Sequence, residues 1–216
     1  LQHALGALET LGGALALHTY IDGTKIEANA NKYTWVWKKS SEKNRNKVFE
    51  KVTTLIEQIN SEDLACLGIK LETRNEYAIE YLEEIWATYK ELLNIDESKF
   101  VHGKGARKTS IQKKYEGLIE FKDKLTKYAE HIEICGEKRN SYSKTDNDAT
   151  FMRVKRDYMG NDQLLPAYNM QIAVCDEYIA TLDVKQYATD VDCFIPLMEK
   201  FNRQYGKYPK YPVADA

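Results

Sequence analysis

At 216 residues the chain exceeds a disulfide- or metal-stapled miniprotein and suits one elaborated domain or two small ones. Its 43% hydrophobic and 30% charged content can build a packed core, and 31 Lys+Arg against 33 Asp+Glu leave a net charge of -2, so disorder is excluded as the default. Cys66, Cys135, Cys175 and Cys193 include no C-x-x-C pair, which excludes a ribbon-type zinc site and a dense disulfide framework and favours a reducing, cytoplasmic setting.

The first twenty residues are apolar but carry no Lys or Arg, and Glu9 and His18 interrupt them. That pattern is neither a signal peptide nor a membrane span. The chain opens with Leu1 inside a helical pattern and stops at Ala216 after an apolar stretch, so both ends read as cut. His18 to Ile21 is β-branched and aromatic, a strand candidate that runs into the turn-prone pair Asp22-Gly23.

From Lys38 to Asn140 the chain is proline-free and laced with 20 Lys+Arg and 19 Asp+Glu, which reads as helical. Three apolar stripes carry the helical period. Val48, Phe49, Val52, Leu55, Ile56 and Ile59 form the first. Tyr77, Tyr81, Leu82, Ile85, Trp86, Tyr89 and Leu92 belong to the second, and Ile111, Tyr115, Leu118, Leu125, Tyr128, Ile132 and Cys135 to the third. Separated by Leu67-Gly68 and by the loop around Gly103 and Gly105, they predict two or three packed antiparallel helices.

Downstream, Ser143 to Ala149 reads as a polar turn with a helix N-cap. Tyr168 to Val174 and Tyr178 to Val184 read as a hairpin turning at Asp176-Glu177. A helix is expected from Thr189 to Gln204, with Phe194, Leu197, Met198 and Phe201 on one face, and a last strand from Tyr211 to Ala216. A helical crossover returns a strand parallel within its sheet, so the first and last strands are expected side by side, with Asp22 and Asp215 together at their carboxyl ends. Two such carboxylates repel unless a cation or a proton comes between them. Hard oxygen ligands select Mg²⁺ or Mn²⁺, and a pair of these ions supports phosphodiester cleavage.

Four blocks carry a resemblance. DGTKIEANANKYTWVWKKS (Asp22 to Ser40), NSYSKTDNDATFMRVKRD (Asn140 to Asp157), QLLPAYNMQIAV (Gln163 to Val174) and YPVADA (Tyr211 to Ala216) resemble, in the same order, the catalytic domain of a group of bacterial insertion-sequence DDE transposases. The resemblance implies an α/β fold, an RNase H-like mixed-sheet core interrupted by an all-helical insertion. It divides the chain into 1–37, with an N-terminal helix and the first catalytic strand, 38–140, the insertion, and 141–216, the rest of the core. It implies that Asp22 and Asp215 are the first two metal-binding, catalytic carboxylates, with Mg²⁺ or Mn²⁺ as cofactor. The partners implied are DNA, both terminal inverted repeats and target, and further copies of the chain, with no membrane and a nucleoid-associated, cytoplasmic location. The family's third acid, a glutamate, lies downstream of the second Asp, beyond Ala216, so these 216 residues alone are expected not to cleave DNA. A non-catalytic DNA-binding or subunit-binding remnant is the alternative. Leu165 departs from the family, which usually has lysine there.

Glu27, Asp146 and Asp148 are the rival carboxylates. Lys99, Lys104, Arg107, Lys108, Lys113 and Lys114 lie in an acid-free run, and Arg153, Lys155 and Arg156 form a smaller cluster; both are candidate phosphate contacts. Tyr33, Trp35 and Trp37 alternate beside lysines, as a half-buried strand does or as bases would require for stacking. Packing is the favoured reading.

Overall fold

The structure is a computed structural model that describes residues 18–103, 105–154, 160, 162–175 and 178–214. It is a mixed α/β protein whose chain forms two compact units, one from residues 1–37 and 135–216, the other Lys38–Ile134.

The inserted unit follows the three stripes. Helix α1 spans Lys38–Gln58 and widens into a π turn at Ile59–Asp63; α2 spans Ile79–Leu92 and α3 Ser110–Cys135. Val52, Ile56, Ile59, Leu82, Tyr89, Tyr115 and Leu118 meet in one core, each at most 1% exposed. Full burial of such a side chain is worth about 1.5–3 kcal/mol, which holds together helices whose other faces are largely polar and charged.

The other unit is built on a five-stranded sheet. Its strands are β1 (His18–Glu27), β4 (Thr150–Arg153), β5 (Leu164–Cys175), β6 (Tyr178–Lys185) and β7 (Tyr211–Ala214). β5 is the pivot. One edge pairs antiparallel with β1, from Tyr20↔Val174 to Glu27↔Ala167, and the other carries β4 and then β6 in tandem, both antiparallel. β7 lies parallel to β1 on its far side, from His18↔Tyr211 to Ile21↔Ala214. The expected adjacency of first and last strands is therefore present. A small second sheet pairs β2 (Trp35–Trp37) with β3 (Ser141–Ser143).

Helix α4 (Val191–Tyr205) covers one face of the large sheet. Leu197, Met198 and Phe201, at helical spacing, pack against Ile21, Ala173, Cys175 and Ala180. Gly206 ends the helix at φ 70, a left-handed cap that returns its N–H to the Asn202 carbonyl at 2.8 Å.

Two local expectations are corrected. Asp22-Gly23 is no turn, because Asp22 and Gly23 pair with Ile172 and Gln171 in mid-strand and β1 continues to Glu27. Nor does Ser143 to Ala149 open a helix; it turns β3 back into β4. The buried Arg139 threads that turn, donating to the carbonyls of Asn147 (2.6 Å) and Ala149 (3.3 Å) and to Thr150 Oγ1 (3.0 Å). Polar residues around a turn serve a link between two strands as readily as a helix start, and here the guanidinium satisfies carbonyls that a helix would have bonded internally.

Candidate functional site

β1 outruns β7. The described parallel ladder stops at Ile21↔Ala214, leaving β1 from Asp22 onward with β5 as its sole described neighbour. Beside the last described pair lies a cleft of about 710 Å³, which Asp22, Lys25, Gln171, Thr189, Asp190 and Ala214 help to line. Asp22 is exposed, and among the described residues its carboxylate takes part in no hydrogen bond or ion pair. Asp215 lies outside the described residues, as do Lys104, Lys155 and Arg156.

The cleft floor is a polar hub the sequence did not reveal. Asp190 Oδ1 accepts hydrogen bonds from Asn169 Nδ2 (2.7 Å), Gln171 Nε2 (3.0 Å) and Lys25 Nζ (3.2 Å). Gln171 Nε2 also donates to Asn169 Oδ1 at 3.0 Å, and Asn169 Nδ2 reaches the Tyr187 carbonyl at 3.1 Å. Partial burial pushes the Asp190 carboxyl upward, but the donors from Asn169, Lys25 and Gln171 outweigh it and hold the group below its ordinary value. Asp190 precedes the first turn of α4, so the hub ties that helix start to β1 and β5. The available signal was Asn169 and Gln171, two amides at period two within an otherwise apolar strand.

The rival carboxylates are engaged elsewhere. Glu27 pairs with Lys32 at 2.9 Å, Asp148 accepts from Gln186 Nε2 at 2.8 Å, and Asp146 accepts from the Tyr168 hydroxyl at 2.6 Å. Burial and that carboxylate push the Tyr168 phenol up to about 12. Among the described residues no three His, Cys, Asp or Glu side chains cluster as a ready metal site. Asp22 nevertheless fits a hydrated Mg²⁺, an ion that keeps several waters and needs only one or two carboxylates.

Of the candidate phosphate contacts, Lys114 is corrected: it is buried, with Nζ 2.7 Å from both Glu62 and Asp63, acids brought to it from the π turn after α1. Lys108 pairs with Glu116 at 2.6 Å, Lys99 with Asp96 at 3.4 Å and Arg153 with Asp162 at 3.3 Å. Arg107 and Lys113 are exposed and form no ion pair among the described residues. Leu165 is 4% exposed in β5 and paired with Met152 of β4, so that position offers no surface for a basic contact. Tyr33 is 73% and Trp35 46% exposed, and both Trp35 and Trp37 lean on Phe151, so packing engages the tryptophans only in part.

The four cysteines are free thiols, and no helix among the described residues is long and apolar enough to cross a membrane. No family model, no curated protein and no solved structure matches the chain.

Proposed function

We propose that the chain is the catalytic portion of an insertion-sequence DDE transposase, with an RNase H-like core, acting in metal-dependent cleavage and strand transfer of DNA. One observation carries the reading: the parallel ladder of β1 and β7 pairs Ile21 with Ala214, the residues that directly precede Asp22 and Asp215 in sequence. The topology gives further support, since the helical unit follows β1 and precedes the β5–β6 hairpin, as expected of a core interrupted by an insertion.

Asp22 offers an uncommitted carboxylate, so it can ligate a divalent cation without first breaking an ion pair. Bound Mg²⁺ would supply Lewis-acid polarisation of the phosphodiester and a nucleophilic oxygen at neutral pH. Asp190 is not a free ligand; its task is to hold Lys25 and the start of α4 in place beside Asp22. Water is the first nucleophile, at the element's end, and the freed 3′-hydroxyl is the second, at target DNA, with no covalent protein intermediate.

Mn²⁺ titration followed by electron paramagnetic resonance tests the reading. Asp22→Asn and Asp215→Asn are each expected to weaken Mn²⁺ binding about tenfold or more, and Asp148→Asn to leave it unchanged. Equal Mn²⁺ affinity for Asp22→Asn and the parent chain would refute it.

A further inference from the structure

The first two turns of α4 leave two large aliphatic side chains in solvent. Val191 is 86% and Ile195 66% exposed, one helical turn apart, while the helix buries its core stripe at Cys193, Leu197, Met198 and Phe201. They do not serve the core. Together with the half-buried Phe194, they line the cleft that Asp22 and Lys25 line. One cleft therefore carries an apolar wall and an edge bearing an uncommitted carboxylate and an ammonium.

Its size suits a single nucleotide, since sites for small organic groups run from about 300 to 1,000 Å³ and this cleft is about 710 Å³. A nucleotide has the same two-part chemistry, a flat apolar base and a charged phosphate. Lys25 can meet that phosphate: its contacts to Asp190, at 3.2 and 3.4 Å, are long for a charge-assisted pair, and an ammonium has three donors. The apolar wall lies on the first two turns of a helix whose start the Asp190 hub fixes, so its position relative to Lys25 is set before any ligand arrives.

We infer that the cleft is a subsite for an unpaired nucleotide at a DNA end, its base against Val191, Phe194 and Ile195 and its phosphate toward Lys25, with a divalent cation between it and Asp22. This rests on the transposase reading and adds the form of the substrate, a frayed or single-stranded end rather than an intact duplex. A paired base cannot reach the wall without leaving its stack.

The probe is a single-stranded 12-mer with 2-aminopurine at its 3′ end, compared with the same sequence as a blunt duplex, in Ca²⁺. The single strand is expected to bind more tightly, with the 2-aminopurine fluorescence changed by contact with the wall. Val191→Ser/Ile195→Ser is expected to weaken single-strand binding roughly tenfold, the size of one or two lost aliphatic contacts. Its urea midpoint should stay unchanged, because both side chains are exposed. Lys25→Gln should weaken binding and lower the salt dependence by about one phosphate, with Lys25→Arg restoring it. Unchanged affinity in the Val191/Ile195 variant, equal binding of the blunt duplex, or equally tight binding of free dAMP would each overturn the subsite. Asp22→Asn separates the two ideas. If it leaves divalent-dependent binding intact while the Val191/Ile195 variant loses affinity, the nucleotide subsite stands and the metal reading falls; with the opposite pattern the metal reading stands and the subsite falls.

Discussion

Gly23 lies directly beneath the Gln171 carboxamide: a Cβ at residue 23 would stand 2.3 Å from Gln171 Nε2 and 3.1 Å from Asp190 Oδ1. The glycine of the Asp-Gly pair is thus needed for close approach within a strand, and the hub that occupies the space also anchors α4. Gly23→Ala is expected to push the Gln171 amide off Asn169 and Asp190 and to destabilise the sheet unit by about 1–3 kcal/mol. Urea unfolding followed by far-UV circular dichroism measures this. A change within about 0.5 kcal/mol, the range of ordinary surface substitutions, would show that the hub tolerates the methyl group.

Asp190 makes stability depend on pH in the acid range. Its folded carboxyl titrates below the ordinary value of 3.8, because the hydrogen bonds and Lys25 outweigh burial. A depressed carboxylate contributes stability that is fully present above the unfolded value and is lost as pH falls through the folded one. Asp190→Asn should therefore flatten the decline in urea midpoint as pH falls below about 4, while the amide keeps part of the hub. An unaltered acid limb in the variant would mean that the decline comes from other carboxylates.

On the transposase reading, the loop before α3 and the helix's first turn contribute to DNA affinity through Arg107 and Lys113, exposed cations without an ion pair among the described residues. Arg107→Ser/Lys113→Ser should lower the slope of log affinity against log salt by about two phosphates' worth, roughly 1.8 for duplex DNA. Lys108→Ser should lower it less, since Glu116 at 2.6 Å already offsets that charge. Filter binding between low and moderate salt decides, and a larger loss at Lys108 than at the pair would contradict the assignment.

What the sequence made legible was whatever depends on near neighbours. Val48, Val52 and Ile56 announce α1 by spacing, and Leu197 and Phe201 announce α4. The parallel placement of β1 beside β7 followed from a handedness rule that needs only element order. What stayed hidden depends on partners distant in the chain. Gly23 looked like a turn because its close neighbours, Gln171 and Asp190, are far along the sequence. Asp146 and Asp148 looked like a helix start because the Arg139 guanidinium that closes the turn lies outside the Ser143 to Ala149 segment. Lys114 looked free because its own segment contains no acid.

Lys114 gives the sharpest test of that last point. Its ammonium is buried between Glu62 and Asp63, each at 2.7 Å, and Asp63 also accepts from the Tyr89 hydroxyl at 2.8 Å. Removing the cation leaves Asp63, 11% exposed at its side chain, without charge compensation, so Lys114→Ala should cost about 3–5 kcal/mol. Lys114→Met/Asp63→Asn should recover most of this, because the methionine fills the stem's volume and the asparagine can still accept from Tyr89. Burial works to lower the Lys114 pKa, but the two acids raise it above its ordinary value of 10.5. The ion pairs' contribution is therefore complete below that value and fades only as pH rises through the higher folded pKa. Thermal unfolding of the parent should be insensitive to Lys114 titration near neutrality, and the single and double variants should differ by at least about 2 kcal/mol at pH 7. Additive single effects would show that Lys114 and Asp63 act independently, as a solvent-exposed lysine would.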